Sequence, residues 1–185
     1  SSFFPAAASD GTPIQSAMAV VDTNNGAVLA MIGGRDYTVR RGLNRATQMR
    51  RQPGSALKPL AVYGPALELG YTTASVLLDE KTSFGGYTPR NAGDRYYGLV
   101  TMRTAIRNSL NTTAVRLLEE IGLDASIQYL NKMGIPTRNS DRNLSLALGS
   151  MTYGVTPVEL AAAYVPYANG GIYHQPYCVE RIETV

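Results

Sequence analysis

The sequence contains no tryptophan, one cysteine and one histidine. With Cys178 alone, no internal disulfide can form. Its place between Tyr177 and Val179, in a run that reads as a strand, predicts a packed core thiol. A reactive thiol would want a basic neighbourhood instead. His174 would have to serve any Ser-His-Asp triad, yet it stands in a turn-like Tyr-His-Gln-Pro stretch and is expected to be exposed. HExxH, paired CxxC and GxxxxGK[ST] patterns are missing, so neither a metal nor a nucleotide cofactor has support. No apolar run approaches the roughly 18–20 residues of a membrane span. The opening Ser1-Ser2-Phe3-Phe4-Pro5 lacks the positive region and the length of a signal peptide. Any anchor or export signal is therefore expected outside this sequence.

Lysine is scarce too, limited to Lys58, Lys81 and Lys132, so the net charge of +3 is carried by arginine. Pairs such as Arg40-Arg41 and Arg50-Arg51 read as solvated surface. Nucleic-acid binding would need a basic face with stacking aromatics or a groove-reading helix, and neither is visible. A mild positive balance suits an anionic envelope or acidic substrate termini. What is present is a chain of 185 residues, 44% hydrophobic and 17% charged, which is long enough and apolar enough to bury a core.

Residues 1–15 are rich in Ser, Ala, Pro and Gly and read as a linker or extended lead-in. Ser16 to Asp22 and Ala27 to Ile32 are apolar strands joined across Thr23-Asn24-Asn25-Gly26, a hairpin signal. After a polar loop, Ser55 to Leu69 reads as a helix closed by Gly70, with Pro65 expected to kink or break it. Residues 71–100 read as one long irregular segment. Thr101 can cap a helix that includes Ile106, a second helix follows Asn111 and stops at Gly122, and a third starts at Asp124 and closes at Gly134 and Pro136. Thr156-Pro157 opens a helix that runs to Asn169-Gly170-Gly171. Tyr177 to Val185 reads as a strand. The order predicts an α+β fold, helices packed on an antiparallel sheet that is cut short in this chain.

One tetrad could do chemistry. In Ser55-Ala56-Leu57-Lys58 the two polar residues lie three apart, on one face of a helix. A serine hydroxyl is a poor nucleophile until a base takes its proton, and a lysine can serve if burial lowers its pKa toward neutrality. Free N–H groups at a helix start can stabilise developing charge on an acyl oxygen. By itself SxxK is weak, because Ser55 as a simple helix cap and Lys58 in solvent would account for it.

The flanks carry more. Arg51-Gln52-Pro53-Gly54-Ser55-Ala56-Leu57-Lys58-Pro59 closely resembles the active-site serine segment of class A penicillin-binding proteins. In the family's order, Gly33-Gly34-Arg35-Asp36-Tyr37 and Asn44-Arg45-Ala46-Thr47 resemble the approach to the active site. Tyr87-Thr88-Pro89-Arg90-Asn91 and Gly98-Leu99-Val100-Thr101-Met102-Arg103 resemble the segment before the second motif. Ser109-Leu110-Asn111 resembles that motif, SxN, and Gly154-Val155-Thr156-Pro157 with Ala168-Asn169-Gly170-Gly171 resembles the late helix and turn. The SxxK motif is a recognised mark of penicillin-binding proteins and β-lactamases. The resemblance covers roughly residues 15–185 and makes 16–185 the N-terminal part of a transpeptidase domain.

It implies a serine D,D-transpeptidase that cross-links peptidoglycan stem peptides and is inhibited covalently by β-lactams. Ser55 would be the nucleophile, Lys58 its base, Ser109 a proton relay to the leaving amine, and Asn111 a holder of Lys58 and substrate. It also implies a membrane-anchored whole protein on the extracytoplasmic face of a bacterial membrane. The family's third motif, K[ST]G, is absent; Lys81-Thr82-Ser83 precedes Ser109 and lacks the glycine. The C-terminal remainder of the domain is therefore expected as a separate or missing segment, and these residues alone are expected to be catalytically incomplete. A serine β-lactamase fits less well, since Leu110 replaces the Asp of SDN and Glu119, Glu120, Glu159 and Glu180 lack the setting of a deacylating base. A penicillin-sensing or degenerate, non-catalytic homologue is the binding-class alternative.

Overall fold

The computed structural model describes residues 7–184. The expected lead-in therefore lies partly outside the described residues, as does Val185. Two compact units emerge, one from residues up to Arg50 together with Thr156 onward, the other from Arg51–Val155.

In the first unit β1 (Met18–Val21) pairs antiparallel with β2 (Val28–Ile32), with a register shift at Val20/Val21. The Asp22 carboxylate accepts from Asn24 N–H at 2.8 Å, and Gly26 takes the left-handed φ of +82° that brings the chain back, as the Asn-Gly signal predicts. The helix α5 (Pro157–Tyr164) packs on β1. Its start is a capping box: Thr156 Oγ1 accepts from Glu159 N–H at 3.2 Å, and the Glu159 carboxylate accepts from Thr156 N–H at 2.9 Å. Glu159 also pairs with Arg50, so Arg50 is an ion-pair partner rather than plain solvated surface.

Three expectations fail in this unit. The strand expected from Tyr177 to Val185 does not form over its described residues: Tyr177 makes a parallel bridge to Ala27, and no strand follows it there. Beyond the bridge, Val179 and Ile182 are exposed, and Arg181 pairs locally with Glu183 at 2.6 Å. Cys178, one residue past the bridge, is consequently exposed rather than a core thiol. His174 is half-buried rather than exposed, because its Cβ lies against the Gly26 turn, where a Cβ would come within 2.7 Å of it.

The second unit is built around α3 (Asn111–Ile121). Its buried face, Ala114, Val115, Leu117 and Leu118, packs on α4 (Leu123–Lys132) and on the 3-10 segment Leu144–Leu148. The segment 71–100 is not irregular throughout. It contains β3 (Val76–Asp79), which pairs antiparallel with β4 (Gly98–Thr101). The glycines and proline that signalled a loop belong to the excursion between these strands. Thr101 caps α2 (Met102–Arg107) as expected, its Oγ1 accepting from Thr104 N–H at 3.2 Å.

The helix predicted from Ser55 is continuous but changes pitch. It opens as a 3-10 turn, Gly54–Leu57, passes through a π turn, Pro59–Tyr63, and ends as α1 (Gly64–Glu68). Pro59 and Pro65 remove two donors within seven residues, so a regular i to i−4 ladder cannot form. Lys58 N–H bonds to Ser55 O three residues back, and Gly64 N–H to Pro59 O five back. The kink expected at Pro65 thus appears as a π turn just before it. An α+β architecture with antiparallel sheets is what the sequence predicts, and each sheet has two strands among the described residues.

Candidate active site

Ser55 lies in the first turn of this helix and is exposed. Its neighbour Gly54 has a φ of +58° and is backed by Gly149, which has a φ of +76°. A Cβ on Gly149 would fall 2.1 Å from Gly54 O, so only glycine allows the two backbones to approach and hold the turn that carries Ser55.

Lys58 sits one turn on and is almost fully buried, at 2% exposure. Its ammonium donates to Ser109 O at 2.6 Å, Asn111 Oδ1 at 2.6 Å, Ser109 Oγ at 3.1 Å and Leu110 O at 3.3 Å. It makes no ion pair among the described residues. Burial without a counter-charge penalises the cation and lowers its pKa from 10.5 to about 8. A lysine in that range releases and takes up a proton near neutral pH, which a solvated lysine does not.

Ser109 is held by an unusual helix end. After α2, Ser109 N–H donates to Ile106 O and Leu110 N–H to Ala105 O, each at 3.0 Å. That is the Schellman arrangement, whose left-handed residue is usually glycine. Here it is Ser109, with a φ of +50°. A side chain in this conformation costs about 1 kcal/mol. In return the turn aims both the hydroxyl and the carbonyl of Ser109 at Lys58.

Asn111 begins α3. The residue before it, Leu110, has no side-chain acceptor with which to cap the helix. Asn91 supplies one from the β3–β4 excursion, its Oδ1 accepting from Asn111 N–H at 2.7 Å and Thr112 N–H at 3.3 Å. The Asn111 amide donates to Arg90 O at 2.7 Å, which leaves its Oδ1 facing Lys58. Behind Asn91 lies Asp79, fully buried, accepting from Asn91 Nδ2 at 2.7 Å, Tyr97 N–H at 3.0 Å and the Thr112 hydroxyl.

The structure therefore gathers Lys58, Ser109 and Asn111 in direct contact. Ser55 stands one turn away with no hydrogen bond between its hydroxyl and the Lys58 amine among the described residues. Sequence reasoning overlooked Asp79 and gave Asn91 no role. The one available signal was an Asp at the end of an apolar strand, which a loop reading of 71–100 hides. Among the described residues no cluster of His, Cys, Asp and Glu could hold a metal ion, and no helix is long and apolar enough to cross a membrane.

Comparison with known proteins converges on one group. Residues 16–184 match the family model described as the penicillin binding protein transpeptidase domain. The chain belongs to the penicillin-binding protein transpeptidase family. It is 47% identical over 163 residues to penicillin-binding protein 1F of Bacillus subtilis (strain 168), covering 88% of this chain and 22% of that protein. It is 38% identical over 176 residues to penicillin-binding protein 1A of Pseudomonas aeruginosa, covering 92% and 21%. The crystal structure of penicillin-binding protein 1A from Haemophilus influenzae superposes with a TM-score of 0.78 at 33% identity, covering 92% of this chain and 27% of that one. The PonA1 protein of Mycobacterium tuberculosis in complex with penicillin V gives 0.74 at 27% identity, covering 88% and 46%. The chain thus spans about a fifth of the length of the two penicillin-binding proteins it matches in sequence.

Proposed function

We propose that this chain is the N-terminal part of a D,D-transpeptidase domain, from residue 16 onward, that works through a serine acyl-enzyme. Lys58, uncharged at the moment of attack, takes the Ser55 proton. The Ser55 oxygen bonds to the carbonyl carbon of the penultimate D-alanine of a stem peptide. As the peptide bond breaks, the terminal D-alanine leaves with a proton delivered through Ser109. An amine of a neighbouring stem then attacks the ester, forms the cross-link and returns a proton to Ser55. Asn111 holds the Lys58 amine through its Oδ1 and can turn its amide to the substrate backbone. A β-lactam presents the same carbonyl but keeps its leaving group tethered, so the ester persists.

The observation that carries this reading is the buried Lys58 amine, held between Ser109 and Asn111 one turn from an exposed serine. The similarity to PonA1 in complex with penicillin V supports the β-lactam. Work on the cell wall outside the membrane, in a membrane-anchored whole protein with a K[ST]G-bearing remainder of the domain, belongs to the same proposal. The test is nitrocefin reaction by a protein carrying the complete domain. One equivalent released in a burst, with cross-linking of lipid-linked donor by the same preparation, is expected. Steady hydrolysis would assign a β-lactamase, and a burst with no cross-linking would assign a sensor.

A further inference from the structure

Asp79 has no place in the chemistry just described, yet it is fully buried and forms no ion pair among the described residues. An unpaired buried carboxylate is costly unless hydrogen bonds compensate it. Three donors converge on this one: Asn91 Nδ2, Tyr97 N–H and the Thr112 hydroxyl. A carboxylate only accepts, so the Asn91 amide presents its NH2 group to Asp79, and the same group also donates to Arg95 O at 2.9 Å. Its oxygen is then turned the other way, onto the first two N–H groups of α3. Those N–H groups have no cap of their own, because Leu110 precedes them. If the amide flipped, two donors would face the helix start and two oxygens would face each other at Asp79.

We propose that Asp79 is a positioning residue, whose carboxylate locks the Asn91 amide in the orientation that caps α3 and thereby sets Asn111 and Ser109 around Lys58. The proposal rests on the reading of Ser55 and Lys58 as the reacting pair. Its reach follows from the connections: Asp79 to Asn91, Asn91 to Asn111 N–H, and Asn111 Oδ1 to Lys58 Nζ at 2.6 Å. Asp79→Asn has the same shape but brings an NH2 group into a cluster of donors. It must oppose either Tyr97 N–H or the Asn91 amide, and a flip of Asn91 uncaps α3. Exchanging the two residues, Asp79→Asn with Asn91→Asp, restores the donor–acceptor match between them but removes the bond that the Asn91 amide donates to Arg95 O at 2.9 Å. The new amide donates to the new carboxylate, which accepts from the α3 N–H groups.

The experiment measures the acylation rate constant with a fluorescent penicillin, in a protein carrying the complete domain, alongside the melting temperature. Asp79→Asn is expected to slow acylation at least fivefold, and the double variant to be faster than the single one although it lacks the bond to Arg95 O. A purely structural role would leave the double variant, with two buried changes, no faster than the single one, and that result overturns the proposal. So does a single variant slowed less than fivefold. If the single variant does not fold, Asn91→Ala decides: it removes the α3 cap and leaves the Asp79 carboxylate in place, so acylation at the unmodified rate contradicts the route through Asn91. Ser55→Ala run in parallel separates the two claims. Labelling retained there sinks the reacting pair, whereas a silent Ser55→Ala beside a normal Asp79→Asn sinks only the positioning role.

Discussion

At Lys58 two demands meet. Its amine must be close enough to hydroxyl and amide groups to exchange protons, and poor enough in solvent to be uncharged part of the time. Four oxygens satisfy the first demand, and burial without a counter-ion satisfies the second. Burial depresses the pKa to about 8, so the base form grows with pH up to that point. Acylation by a β-lactam should therefore rise about tenfold per pH unit below the pKa and flatten above it. Lys58→Arg retains the charge but cannot lose it, so the rate should fall by about 10²–10⁴-fold and the pH step should vanish. Stopped-flow acylation of both proteins from pH 6 to 10 checks this. A step that survives in the arginine variant would assign the titration to another group. The SxxK spacing made Ser55 and Lys58 legible in the sequence. What it could not show is that the amine turns to the SxN segment, because that contact spans 51 positions and depends on packing.

At the scale of elements, the turn between α2 and α3 sets function against stability. The Schellman position would be filled most cheaply by glycine, and it holds Ser109. Ser109→Gly should relieve about 1 kcal/mol of backbone strain. For a chain of 185 residues that raises the melting temperature by about 2–4 °C. The same change removes the hydroxyl beside Lys58, so cross-linking should fall sharply in the more stable protein. Calorimetry and a transpeptidation assay on one preparation measure both signs; a drop in stability would show that the turn is not strained. Helix caps were legible because they are local: Thr101, Thr156 and Gly122 each announce an end within four residues. The α3 start was not, since its cap is Asn91, 20 positions earlier. The strands β3 and β4 were hidden for a related reason. Each is four residues long, and their pairing is set by register across an excursion of 18 residues that reads as loop.

For the molecule as a whole, an α+β fold was legible from the order of periodic segments, and the family from several motifs in sequence order. The strand expected from Tyr177 onward was not realised, because a strand-like run needs a neighbouring strand to bond. Among the described residues of that segment only Tyr177 finds one, at the Gly26 turn. The central claim stands or falls on where an acyl group is attached. A protein carrying the complete domain is treated with a fluorescent penicillin, digested, and its labelled peptide sequenced by mass spectrometry. One adduct is predicted, on the oxygen of Ser55, and none in the Ser55→Ala variant. An adduct on another residue, or undiminished labelling of that variant, would contradict the account.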